Sequence, residues 1–557
     1  MPRLRSLDKR LPLAWLLGIP ATYLAVAFME NFYAAALQAA LWAILIHSLV
    51  TLFCVYLLDK LVKEFRANRA NALLTAILFT ALTAIVPASY YLAKPFPNLF
   101  DAQAFHLAPA ARVPFFAALF PAFFVAMVAT TAARNKNWKK SRVHKFIEEN
   151  FDGLLVALLF FCVYLLFASV FNRPTFDEDD IFFDADGRLY RWRFATENVR
   201  DYYWRPAHPF ILIIVRPLVA ILAFIFNGDT LFAGFTLNAL TAALCVFLIW
   251  IFVKGSVGIP LYAALISALF GASATQLVFG SVMESYIHLS AVALAFLVLL
   301  LKEKPLWLQI IAGLTAFGIT ISNLAQTFIA HFFVRRNLKQ LIAYGLIVAA
   351  LSAPLTLLNN VFYPDSQPYF WDLSLLEGEG HNQFPATLQR AEYLARVMTL
   401  HSFVAPEPLT IDDEFKFTKV WMFRASIKRD PMRLANYETA LGDGLALVWA
   451  GSLVLGGVLF LKNFHKRDNG FSLAFIATLL FYFLLHLRYG KDVFLYSANW
   501  TYAIVLFLAL AWRELAEKRW FQTLLLVFIL LLIVNNMSLL ETMMRVVAPT
   551  VNLPQWK

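Results

Sequence analysis

The residues most capable of chemistry lie between Asn172 and Phe210, in NRPTFDEDDIFFDADGRLYRWRFATENVRDYYWRPAHPF. Asp177, Glu178, Asp179 and Asp180 stand in a row, and Asp184 and Asp186 follow. Carboxylates so placed can deprotonate a hydroxyl, hold a divalent cation, or simply be solvated. Charge runs are usually solvated. Acids abutting apolar spans are costly, however, and tend to mark sites. Four consecutive acids cannot all face one way on a helix, so at most two converge on one site. Asp179, and after it Asp177, is the expected general base, with Glu178 and Asp180 completing the catalytic set.

Cations with the right chemistry for an anionic group follow. Proline removes a donor and favours an extended residue before it, so His208-Pro209 marks a chain turning at the membrane surface. Arg205 and Arg216 flank it, and the three could form a pocket for a phosphate, which suits arginine's planar fork. The plainer alternative is that both arginines snorkel to headgroups. Glu284, followed by Tyr286 and His288, lies where one apolar span ends and another begins. It could border a cavity or serve as an interfacial cap. Asn323 and Gln326 read as polar packing between helices. The run His486 to Trp500 brings His486, Arg488, Lys491 and Asp492 together with Tyr489, Tyr496 and Trp500. Aromatics belong in any interfacial belt, but the cations beside them suit an anionic headgroup. There is no Walker-type loop, HExxH or Ser-centred elbow, which argues against nucleotide hydrolysis and zinc proteolysis.

The elements that must position these residues are membrane spans. Of 557 residues 61% are hydrophobic and 15% charged, with a mean hydropathy of +0.66. Apolar runs of about twenty residues recur along the chain. The expected class is an all-α polytopic membrane protein. The net charge of +11 comes from Lys and Arg in short loops, where they set orientation, and does not point to nucleic acid. Cys54, Cys162 and Cys245 fall inside apolar spans, against a disulfide framework or thiolate metal site. The start, MPRLRSLDKR before an apolar run, reads as a retained first helix.

Placing the basic loops in the cytoplasm puts the N-terminus there and the acidic loop on the opposite face. Residues 1–133 read as a module of four spans, and 134–150 as a basic cytoplasmic linker. Residues 151–540 then form a core with two polar loops on one face, 172–210 and 359–441, and 541–557 an external tail. Leu189, Trp192, Val199 and Tyr203 repeat at helical spacing, the pattern of a helix lying in the headgroups with Arg191, Arg193 and Arg200 between. Residues 208–226 are expected to lie along the interface, and 306–333 to enter and return as a hairpin near Ser322-Asn323, tolerated only where protein or a cavity surrounds it.

The order of these parts resembles the GT-C superfamily of membrane glycosyltransferases, which includes protein O-mannosyltransferases and aminoarabinose transferases. FDEDD (Phe176 to Asp180) resembles its acidic first-loop motif. HPF (His208 to Phe210) looks like the element closing that loop, and MESY (Met283 to Tyr286) is similar to a PESY-like element with Met283 where proline is common. ITISN (Ile319 to Asn323) and FLYSANW (Phe494 to Trp500) resemble elements of bacterial branches. The resemblance covers about 151–540; residues 1–133 do not fit it.

That resemblance implies a sugar donor on a polyprenyl phosphate and an acceptor hydroxyl on a glycan, lipid or protein. Asp179 or Asp177 would be the base. Arg205, His208, Arg216, Arg488 and Lys491 would bind the donor phosphate, and Glu284, Tyr286 and Tyr496 would line the pocket. A divalent cation (Mg or Mn) on Asp177 and Asp179 could assist, but a monosaccharide donor would not require it. The setting implied is a bacterial inner membrane with a periplasmic or extracellular site. The rivals are a transporter or lipid-linked sugar flippase, a non-catalytic assembly subunit, and a polysaccharide polymerase or ligase.

Overall fold

The computed structural model describes residues 10–33, 35–133, 140–412, 417–426, 431–466 and 468–551. Helices dominate. Among the described residues nine are long and apolar enough to cross a membrane, from Leu11–Glu30 to Arg519–Thr550. The outer faces of the long helices carry exposed Leu, Val and Phe, such as Leu346, Val361 and Phe362 on Leu338–Phe362. Lipid, not water, is the solvent that accepts such a surface. The chain is an integral membrane protein of all-α architecture.

Two compact units are distinguishable. The first comprises Met1–Thr80, Phe100–Phe151 and Phe224–Asp229. In it, helices Leu11–Glu30, Ala36–Ala67 and Pro109–Ala133 pack through Ala27, Ala39, Ala43, Ala111 and Ala118 around Val26, Phe115 and Leu119. Small residues at these crossings let the backbones approach closely, which drives helix association where lipid is as apolar as the side chains. Thr22 Oγ1 and His47 Nδ1 lie 2.8 Å apart within this unit. Of the expected linker, 134–139 lie outside the described residues, and Arg142 onward is already helical, running to Phe171.

The second unit comprises Ala81–Leu99, Asp152–Ala223 and Thr230–Lys557. Beside its long helices it holds four shorter apolar ones, Pro260–Gly271, Tyr286–Leu301, Leu306–Ile319 and Gly470–His486, and most of a fifth, Ile211–Ile225. At about 1.5 Å per residue these are shorter than a bilayer core of about 30 Å.

One pair forms the hairpin expected from the sequence. Leu306–Ile319 breaks at Thr320, a single tight turn covers Ile321–Asn323, and Leu324–Arg335 runs back. The Arg335 guanidinium donates to the Lys304 carbonyl (3.4 Å), bringing the two ends together. At the tip, the Phe210 N–H donates to the Gly318 carbonyl (3.1 Å) and the Ile321 N–H to that of Ala207 (3.1 Å). A Cβ on Gly318 would sit 2.1 Å from the Phe210 ring, so only glycine permits this approach.

The loop at 359–441 is folded. It carries helix Leu388–Arg396 and two small antiparallel pairs, Leu409–Ile411 with Lys419–Trp421 and Phe423–Arg424 with Arg433–Leu434. Residues 413–416 and 427–430 of it lie outside the described residues, as do 552–557 of the tail. This loop packs directly on the first: the Phe183 N–H donates to the Val420 carbonyl (2.7 Å) and the Val420 N–H to that of Ile181 (2.8 Å). The two polar loops therefore form one layer at one end of the unit's helices.

The amphipathic helix of the first loop departs from expectation. It spans only Gly187–Ala195, so Val199 and Tyr203 fall in irregular chain beyond it. It does not present its arginines to headgroups either: Arg191 and Arg193 are buried. Arg191 donates to the Phe176 carbonyl, and Arg193 to Gln367 (2.7 Å) and the Val199 carbonyl (3.1 Å). Carbonyls and an amide supplied by neighbouring chain take the place of lipid phosphate.

Candidate active site in the acidic layer

The acidic run is a knot of tight turns. Buried Phe176, Phe182 and Phe183 anchor it, and Asp180, Phe183 and Asp184 take left-handed backbone angles (φ 64°, 57° and 63°). Non-glycine residues seldom adopt that conformation, and it collects at functional sites. Its entry is pinned by buried Asn172, whose side chain donates to the Ala168 and Ser281 carbonyls (2.8 and 2.7 Å) and accepts from the Met283 N–H (2.8 Å). That brings the residues around Glu284 up to the acids.

Asp179 holds this loop together. Its Oδ1 accepts from the backbone N–H groups of Arg188 (2.9 Å) and Leu189 (3.1 Å), at the start of the 187–195 helix. Its Oδ2 accepts from the hydroxyls of Tyr202 and Tyr203, the latter at 3.2 Å. Capping free N–H groups and opposing the helix dipole are both stabilising. Asp177 is exposed, and its carbonyl receives Arg188. Glu178 is half-buried, lining a small cavity with Phe176, Phe182 and Arg191.

Asp186 and Glu284 face a different environment. Asp186 Oδ2 accepts from Arg205 Nη1 at 2.7 Å, and its own N–H donates to Glu284 Oε2 (3.0 Å). Glu284 is buried, with Oε1 taking the Ser285 N–H (2.7 Å) and hydroxyl (3.0 Å). Burial raises the pKa of both carboxyls; Asp186 raises Glu284 further, Arg205 pulls Asp186 back down, and the charges of Asp179 and Asp180 push it up. The pair therefore holds a proton near neutrality, and Asp186 keeps 15% of its side chain accessible. Arg205 also approaches buried Asp201 (3.5 Å), which Arg193 approaches from another side (3.6 Å). The second guanidinium nitrogen of Arg205, Nη2, is buried and has no hydrogen-bond partner among the described residues.

His208 carries no charge here. Nδ1 donates to the Ile319 carbonyl (2.6 Å), so Nε2 accepts from the Tyr190 hydroxyl (3.2 Å). Burial, and then Arg205, lower its pKa to about 3. The expected phosphate-binding cation is thus a neutral strut between the first loop and the hairpin tip. Arg216 is also engaged: it donates to the carbonyls of Arg193 (2.9 Å) and Thr196 (2.7 Å) at the end of the 187–195 helix, where a cation opposes the dipole.

Asp180 and Asp184 form a third group. Lys419 of the second loop comes within 3.9 Å of Asp180, and the Lys491 charge acts on both acids. Burial raises both carboxyls, and each raises or hydrogen-bonds the other. The segment presenting Lys491 is fixed by Arg390, which is buried and donates to the carbonyls of His486, Leu487, Tyr489 and Gly490 (2.8–3.1 Å). Its guanidinium lies between the rings of Phe384 and Phe423. Asp492 is spent on backbone, accepting from Met422, Phe423 and Phe494. Arg488 is exposed. Tyr286 meets Tyr496 edge-on (5.0 Å), and Tyr496 stacks on His486 (4.3 Å).

No group of three or more His, Cys, Asp or Glu that could hold a metal ion is gathered among the described residues. A carboxylate offers about four lone-pair sites, and Asp179 accepts from four donors. As placed it has none left for an ion shared with Asp177.

Sequence reasoning picked out Glu284, Arg205 and Lys491 but passed over Asp186 as a site residue and missed Asp201, Arg193 and Lys419. Asp186 carried a signal: it directly precedes Gly187, where the helix begins. Lys419 and Asp201 carried none, since only the fold brings them to the acids. No protein-family profile, curated protein or solved structure matches the chain.

Proposed function

We propose that this chain is an inverting glycosyltransferase that moves a sugar from a polyprenyl-phosphate carrier to an acceptor hydroxyl, with the acidic layer facing out of the cytoplasm. The observation that carries this reading is the Asp186–Arg205 pair, a carboxyl poised near neutrality beside a guanidinium whose Nε and Nη2 make no hydrogen bond among the described residues. A general base works best when its pKa lies near the working pH, and a phosphate leaving group needs donors where its charge develops.

In this reading Asp186 takes the proton of the acceptor hydroxyl. The acceptor oxygen attacks the anomeric carbon from the face opposite the phosphate, and the carbon–oxygen bond to the phosphate breaks with its electron pair leaving on the carrier. Inversion follows from that single displacement. Arg205 Nη2 and Lys491 receive the departing phosphate, and Glu284 holds Asp186 in place through its backbone N–H. Asp179 acts one step removed, by fixing the helix that follows Asp186. The test is transfer of a radiolabelled sugar from a polyprenyl phosphate by the chain in proteoliposomes. Wild type transfers and Asp186→Asn does not; equal activity of the two would refute the assignment.

A further inference from the structure

We infer that the surface formed by Tyr202, Tyr203 and Trp192 is a saccharide-binding platform, which makes the acceptor a glycan; this second step rests on the transferase reading above. The two tyrosines are 36% and 44% exposed, with ring centroids 4.8 Å apart, and Trp192 meets Tyr202 edge-on at 6.0 Å. They do not behave as belt aromatics, which put ring in lipid and hydroxyl in water. Here both hydroxyls donate to Asp179 Oδ2, and both tyrosines stay partly exposed beside it. The carboxylate cannot shift to follow them, because Oδ1 is held by two backbone N–H groups.

Cations occupy part of the same surface. The Arg188 guanidinium lies over Trp192 (4.8 Å) and Tyr202 (5.4 Å), and that of Arg205 over Tyr203 (4.7 Å). Fixed aromatic rings thus alternate with guanidinium donors. A pyranose is the complement of that pattern, with an apolar C–H face to lie on a ring and a rim of hydroxyls that both donate and accept. Rigid amphipathic rings provide such contact at small entropic cost. An anionic headgroup fits poorly, because Asp177, Glu178 and Asp179 belong to the same stretch. The Arg205 that covers Tyr203 is also the partner of Asp186, so a sugar on this platform borders the proposed base.

The experiment uses the full chain in lipid nanodiscs without any donor. Saturation transfer from protein to ligand is measured for the methyl glycosides of glucose, galactose, mannose and N-acetylglucosamine, and for glycerol 3-phosphate as a headgroup probe. At least one glycoside should be saturated and outcompete glycerol phosphate. Tyr202→Ala and Tyr203→Ala should each weaken it about tenfold, the loss of about 1.4 kcal/mol of contact. Tyr202→Phe, which keeps the ring and the fold, should weaken it less than about threefold. No saturation of any glycoside, preference for glycerol phosphate, or unchanged binding in both alanine variants would overturn the inference. Saccharide binding should persist in Asp186→Asn. Sugar binding without any lipid-linked transfer would sink the transferase reading, whereas transfer without sugar binding would sink the platform alone.

Discussion

Asp179 and Asp186 belong to the same loop, yet their surroundings ask different things of them. Asp179 is surrounded by donors: two backbone N–H groups and two phenols meet its two oxygens. Asp186 has one strong partner, Arg205, and a second carboxyl, Glu284, against its backbone. The first arrangement spends a carboxylate on architecture. The second keeps one chemically unsettled, because burial and the charges of Asp179 and Asp180 oppose an ion pair. Density of acids along a chain and availability of an acid for proton transfer are therefore different properties.

The comparison breaks most readily at Asp186. Asp186→Asn is expected to lower transfer by about a hundredfold to ten-thousandfold, whereas Asp179→Asn should cost less in rate and show mainly in stability. Equal losses in the two variants, measured in parallel rate and thermal-unfolding assays, would erase the distinction. Next in size is Arg205→Ala. It strips the partner from a largely buried charge, a change that typically costs about 3–5 kcal/mol, and should lower the unfolding temperature more than Asp179→Asn does. Loss of the Asp179 cap should cost about 1–2 kcal/mol.

How much of this was legible in the chain follows from what each feature depends on. The membrane class, the hairpin near Ser322-Asn323 and the grouping of the two polar loops follow from hydropathy and loop charge, which are local. The fates of individual acids are not local. Asp179 became a cap because Arg188 and Leu189 begin a helix beside it, and Asp186 gained its raised pKa from burial in the folded chain, with the charges of Asp179 and Asp180 adding to it. The shortness of the 187–195 helix and the burial of Arg191 and Arg193 have the same origin: Phe176, Val199 and Gln367 supply acceptors that a sequence pattern cannot show.

Titration sharpens the comparison further. Asp186 serves as a base only when ionised, and burial lifts it to about 7. The transfer rate should therefore fall as pH drops below about 7. An unchanged rate from pH 6 to 8 would contradict that environment. For stability the sign runs the other way. A carboxyl raised in the folded state, as Glu284 is, binds its proton more tightly there than in the unfolded chain, so its contribution is fully present at low pH and is lost as pH rises through about 8. Glu284→Gln should flatten the decline in unfolding temperature between pH 6 and 8.5. The smallest expected effect is at Arg216: removing a cation from the end of the 187–195 helix should cost about 0.3–1 kcal/mol of dipole stabilisation, with little change in the pH profile of transfer.

The most direct measurement is transfer from a polyprenyl-phosphate sugar in sealed proteoliposomes, with anomeric configuration read by NMR and the Asp186→Asn variant run alongside. The account predicts a product inverted at the anomeric carbon for wild type and none for the variant. A retained configuration, or a variant as active as wild type, would contradict it.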